Sequence, residues 1–155
     1  MIVYLVQHGE ALSEEEDRDR RLSGKGLADT RKTAAFLAQM KDATPEHLYH
    51  SGKTRAAQTA GIFGEHLKSE HVIEPVEGLK PMDSPGIWAE RLNSMSESCM
   101  LIGHLPHLNL LASLLLCGNP DIPIIKFTNS GIVCLERSSE NDWSLVWSVV
   151  PGILQ

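Results

Sequence analysis

The sequence predicts an α/β fold: a three-layer αβα sandwich around a mostly parallel central sheet with an antiparallel edge. Three observations predict it. Short apolar runs alternate with longer segments of helical periodicity from residue 2 to about residue 116, the pattern of units that place helices on both faces of a parallel sheet. Two strand-like runs close the chain, Ser130 to Glu136 and Trp143 to Val149, and the polar Arg137 to Asp142 between them reads as the turn of a hairpin. With 155 residues, 42% of them hydrophobic and 22% charged, the chain has the balance of one domain spanning residues 1–155 with a sizeable core.

Taken in order, Ile2 to Val6 is a buried first strand that delivers Gln7-His8-Gly9-Glu10 at its carboxyl end. Ser13 to Arg21 is dense in charge and reads as a solvated loop. Ser23-Gly24-Lys25-Gly26 leads into a helix from about Leu27 to Met40, with Leu27, Thr30, Ala34, Leu37 and Ala38 on one face and Asp42 to Pro45 ending it. His47 to His50 is a second strand, Ser51-Gly52-Lys53 a turn, and Thr54 to about Lys68 a helix that aligns Ala56, Ala60, Phe63 and Leu67. Val72 to Val76 is a third strand, and Pro81 to Gly86 is a loop. Trp88, Leu92 and Met95 then have the spacing of a short helix. Cys99 to Ile102 is another buried strand, ending at Gly103-His104-Leu105-Pro106. Pro106 suits the first turn of a helix from Leu108 to Leu116 that is apolar nearly all round and expected in the interior.

Composition narrows the function. The net charge of −6, with no basic stripe and no interleaved aromatics, argues against nucleic acid and acidic membranes as partners. The apolar start is too short for a bilayer span or a signal segment. Cys99, Cys117 and Cys134 are odd in number and lie in apolar runs, which suits buried, reduced thiols and a cytoplasmic location. No Asp/Glu/His grouping has metal-ligand spacing.

His8 and His104 each stand just past an apolar strand and beside a glycine, so both are expected on one rim of the sheet, where open α/β folds bind ligands. Arg55 lies near the amino terminus of the following helix and is expected at the same rim, together with free helical N–H groups that favour an anion. Arg20, on composition alone, is a solvated loop residue.

Val6-Gln7-His8-Gly9-Glu10-Ala11 resembles the R-H-G signature of the histidine phosphatase superfamily, and Arg20-Arg21-Leu22-Ser23 resembles its R-x-L-[ST] segment. Ser51-Gly52-Lys53-Thr54-Arg55-Ala56-Ala57-Gln58-Thr59 resembles S-x-x-x-R-A-x-Q-T, and Ile102-Gly103-His104-Leu105-Pro106 resembles the second-histidine motif. Leu79-Lys80-Pro81 matches the L-x-P of SixA-like members. The order and separations hold over essentially the whole chain, so the chain is similar to the SixA-like phosphohistidine phosphatases and is expected to share their phosphoglycerate mutase-like fold.

The resemblance implies that His8 attacks phosphorus to form a phosphohistidine intermediate, that Arg20, Arg55 and His104 hold the phosphoryl oxygens, and that no cofactor is needed. It implies a phosphorylated protein bearing phosphohistidine, or a small phosphate ester, as the substrate. Gly9 is expected to let substrate approach the backbone. His50, His66, His71 and His107 are expected to be surface or structural, with His107 near enough to line the pocket. The family's first arginine is Gln7 here, which brings a neutral N–H but neither a charge nor a guanidinium fork. Glu77 and Asp83 are the candidates for a general acid, since only about twenty residues separate Val76 from Ser98, too few for a large lid. The alternatives are a catalytically impaired phosphate- or phosphohistidine-binding module, and a phosphatase of small phosphate esters.

Overall fold

A computed structural model of the chain describes residues 1–40, 44–68 and 72–155. Asp42, expected to help end the first helix, and His71 lie outside the described residues. The elements run β1 (Ile2–Gln7), α1 (Gly24–Gln39), β2 (His47–His50), α2 (Thr54–Leu67), β3 (Val72–Pro75), α3 (Pro85–Ser94), β4 (Cys99–Gly103), α4 (His107–Cys117), β5 (Ile132–Arg137) and β6 (Trp143–Val149). A short 3-10 turn, Pro151–Ile153, follows.

The strands form one six-stranded sheet in the order β3-β2-β4-β1-β5-β6. β3, β2, β4 and β1 are mutually parallel, while β5 runs antiparallel to β1 and β6 antiparallel to β5. Successive strand residues face opposite sides, so β1 sends Tyr4 and Val6 to one face and Val3 and Leu5 to the other. Tyr4 and Val6 pack with Ala34 and Leu37 of α1 and Ala56, Ala60 and Phe63 of α2. Val3 and Leu5 pack with Trp88 and Leu92 of α3 and Leu108 and Leu111 of α4. The expected three layers and antiparallel edge are therefore present.

Four local expectations are corrected. α1 begins at Gly24, ahead of the apolar periodicity, because Ser23 caps it: its Oγ accepts the Gly26 N–H at 3.0 Å. Ala38 is exposed, and Thr33 takes its place on the buried face. α3 takes in Pro85 and Gly86, since proline is tolerated in a first helical turn. α4 buries Leu108, Leu111 and Ala112, but Leu110 and Leu114 to Leu116 are only half-buried, and Cys117 at its end is exposed. A helix packed on one face of a sheet has an outer side, whatever its composition. Cys99 and Cys134 are buried, and all three thiols are free.

Candidate active site

β1 and β4 are parallel neighbours in a register that pairs Gln7 with Gly103, so His8 and His104, one residue further on, leave the same end of the sheet. The His8 N–H donates to the Gly103 carbonyl at 3.1 Å, and the two imidazoles stand 4.8 Å apart between ring centroids. β2 is parallel to β4, and the turn after it brings Ser51 and the start of α2 to the same end.

His8 is oriented for chemistry by its own backbone. Its Nδ1 lies 2.7 Å from the Gly9 carbonyl, which can only accept, so Nδ1 carries the proton and Nε2 keeps its lone pair. Arg55 Nε donates to that Nε2 at 3.2 Å. Burial lowers the His8 pKa, the Gly9 carbonyl opposes this, and the charges of Arg55 and Arg20 lower it further, to about 4. His104 is 2% exposed, and its Nε2 sits 2.6 Å from Ser51 Oγ. Burial, then the neighbouring charges of His8, Arg55, Lys53 and His107, bring its pKa to about 3. Both imidazoles are thus neutral at neutral pH.

Arg20 and Arg55 line one hollow of about 290 Å³ with Glu14, Arg18, Asp19, Gly52, Lys53 and Thr54. Arg20 adopts a left-handed backbone, φ +50°, and its Nε donates to the Leu12 carbonyl at 3.1 Å, which fixes the side chain across the loop. Burial and the charge of Arg20 lower the Arg55 pKa, with Glu14 acting the other way. Two guanidinium groups that repel each other in a partly dehydrated hollow are stabilised by an anion between them.

The sequence-predicted residues do not all share this arrangement. Gln7 ends β1, and its Oε1 is buried without a hydrogen-bond partner among the described residues. Gly9 is buried against α1: a Cβ there would lie 2.7 Å from Thr30 Oγ1 and 3.1 Å from the Gly26 carbonyl oxygen. Its missing side chain makes room for the helix rather than for substrate. Glu77 is exposed, pairs with Lys80 at 3.4 Å, and lines a second hollow of about 390 Å³ with Ser51, Gly52, Lys53 and Lys80. Asp83 accepts the Lys80 backbone N–H at 2.9 Å. His50 and His107 are buried and His66 is half-buried, so His50 and His107 are interior rather than surface residues.

Several supporting residues hold the site in ways that the sequence does not signal. Asn129 Nδ2 donates to the His8 carbonyl at 2.9 Å, and the Ser130 N–H to the Gln7 carbonyl at 2.9 Å, so the segment before β5 holds the backbone around His8. Thr59 Oγ1 accepts the Gly9 N–H at 3.0 Å, and Gln58 Oε1 accepts the Leu22 N–H at 2.8 Å. These last two belong to the Ser51–Thr59 string, whose spacing marked them without revealing what they bind. Among the described residues, no group of three or more His, Cys, Asp or Glu side chains is placed to hold a metal ion, and no helix is long and apolar enough to cross a membrane.

The family model for the histidine phosphatase superfamily (branch 1) matches residues 3–98. Among solved structures, the chain is similar to the protein histidine phosphatase SixA complexed with tungstate, at 27% identity and a TM-score of 0.86 over 98% of each chain. A protein assigned as phosphohistidine phosphatase SixA from Agrobacterium tumefaciens matches at 20% identity and a TM-score of 0.77 over 97% of each chain. The mycobacterial glucosyl-3-phosphoglycerate phosphatase, in complex with VO3, matches at 18% identity and a TM-score of 0.71, over 94% of this chain and 98% of that one. No curated protein matches the sequence.

Proposed function

The chain belongs to the histidine phosphatase superfamily and is a phosphatase; from that premise we propose that it hydrolyses phosphohistidine on a partner protein, with His8 as the nucleophile. The observation that carries the reading is the neutral His8 imidazole, protonated at Nδ1 and presenting Nε2 to Arg55 beside the hollow that holds Arg20. Nε2 attacks phosphorus and forms an N–P bond as the bond to the leaving imidazole breaks, and the leaving nitrogen takes a proton from solvent. Water then attacks the phosphorylated His8, releases phosphate and regenerates the free imidazole. Arg20, Arg55 and His104 bind the three equatorial oxygens, where charge stabilisation matters most in phosphoryl transfer.

A protein substrate is supported by the likeness to SixA over 98% of each chain and by the chain between β3 and β4, which is too short for a large lid. An imidazole leaving group needs little acid catalysis, which suits a site where Glu77 pairs with Lys80 and Asp83 with a backbone N–H. Glu77, beside the second hollow, is the carboxylate we assign as acid toward oxygen esters. The location is cytoplasmic, in keeping with three free thiols. The turnover is slow, because Gln7 brings no charge to the phosphoryl group.

The test is single-turnover phosphate release from a phosphohistidine protein. The parent chain is expected to release phosphate and to carry label on His8 after rapid quenching, and His8→Ala to do neither. Activity retained in His8→Ala removes the nucleophile from the scheme. Tight binding of the phosphoprotein without phosphate release would instead favour a binding module, the reading that the uncharged Gln7 supports.

A further inference from the structure

Gln7 leaves the anion site with two guanidinium groups, Arg20 and Arg55, to face a group that carries nearly two negative charges. The same hollow is also lined by two carboxylates, Glu14 and Asp19, so its formal charge from these four residues is balanced before any anion enters. Two further cations line it, Arg18 and Lys53. Arg18 is exposed, on the same charged loop as Glu14 and Asp19. Lys53 is half-buried, stands at the N-cap of α2 two residues before Arg55, and has no ion-pair partner among the described residues. It also lines the second hollow with Ser51 and Gly52, so it sits on the ridge between the two.

Building on the proposed function, we infer that Lys53 is the third cation of the anion clamp, supplying from the turn before α2 the positive charge that Gln7 does not bring from the end of β1. The Lys53 N–H lies 3.4 Å from Ser51 Oγ, the hydroxyl bonded to His104 Nε2, so the lysine's backbone is fixed to the catalytic cluster. Its charge reaches that cluster, being one of the causes that lower the His104 pKa. The first N–H groups of α2 open at the same place and favour an anion there. A flexible ammonium on a ridge also suits a protein substrate, since it can follow the phosphoryl group as the partner docks.

The experiment is a cycle of binding measurements with tungstate as the phosphate-like probe, on the parent chain, Lys53→Met, Gln7→Arg and the double variant. Lys53→Met is expected to weaken tungstate binding roughly tenfold, the difference between a charged and a lost contact, and to weaken it less once Gln7→Arg supplies a second source of charge. Lys53→Arg is expected to retain binding, and Arg18→Met to change it less than threefold. Undiminished binding in Lys53→Met overturns the inference while leaving the phosphatase reading intact, as does an equal loss from Arg18→Met, which would signal a general field at the mouth. A loss of the same size in both Gln7 and Gln7→Arg backgrounds overturns the compensation. A parent chain that binds no tungstate and releases no phosphate overturns both the inference and the function on which it rests.

Discussion

Gln7 and Gly9 flank His8, the proposed nucleophile, in sequence and answer to different forces. Gln7 holds a buried Oε1 with no partner among the described residues, so the position already carries an unfavourable polar group, and arginine there would bring both a charge and a fork. Gln7→Arg is expected to raise kcat/KM for phosphate release by roughly tenfold or more, and a rate no higher than the parent's would show that the position lies outside the clamp. Gly9 is constrained from behind. Thr30 Oγ1 cannot withdraw from an added Cβ, because it is held at 2.8 Å by both the Gly26 carbonyl and Ser130 Oγ. Gly9→Ala is therefore expected to lower unfolding stability by about 1–3 kcal/mol, read as an earlier midpoint in urea. The histidines were legible from strand-end position; the reason for Gly9 was not, because Thr30 and Ser130 reach it from distant parts of the chain.

At the scale of elements, α2 and the turn before it are the organiser of the site. Ser51 reaches His104, Arg55 reaches His8, Gln58 takes the Leu22 N–H at the end of the Arg20 loop, and Thr59 takes the Gly9 N–H. Each of these four residues ties down a different segment, which explains why the string is long and unevenly spaced. Thr59 is fully buried, and Thr59→Val, nearly equal in volume, strands the Gly9 N–H. A loss of about 1–3 kcal/mol in thermal or urea unfolding is expected, with a lower kcat as His8 loosens; an unchanged midpoint would mean that the bond contributes nothing. Spacing in the sequence identified this element and its face. The start of α1 was misplaced because a serine cap, not apolar periodicity, decides it, and α4 was placed too deep because leucine content does not say which side faces a sheet.

For the whole molecule, the consequence of burying imidazoles is a dependence on acid. Burial lowers the pKa of His8 to about 4 and of His104 to about 3, and lowers those of His50 and His107, from an ordinary value of 6.5. As pH falls below that value the unfolded chain binds protons that the folded chain refuses. Stability is thus fully present above about pH 6.5 and is lost as pH falls toward the folded values. Thermal midpoints are expected to drop between pH 7 and pH 5, and the drop to shrink in a His8→Ala, His104→Ala double variant; a drop of unchanged size would assign it to other groups. The layered architecture was legible from alternation because each face of the sheet is closed by its own pair of helices, whereas the loops that complete the site follow no period and could be seen only in three dimensions.

The hairpin of β5 and β6 has one more consequence. Because β5 is antiparallel to β1, its Ile132 end lies beside Val6 near His8, and the turn over residues 138–142 falls at the opposite pole of the sheet, close to Met1. A reporter peptide inserted between Glu140 and Asn141, both exposed, should leave turnover within twofold of the parent, giving a handle from which docking of the proposed phosphorylated partner can be watched without touching the chemistry.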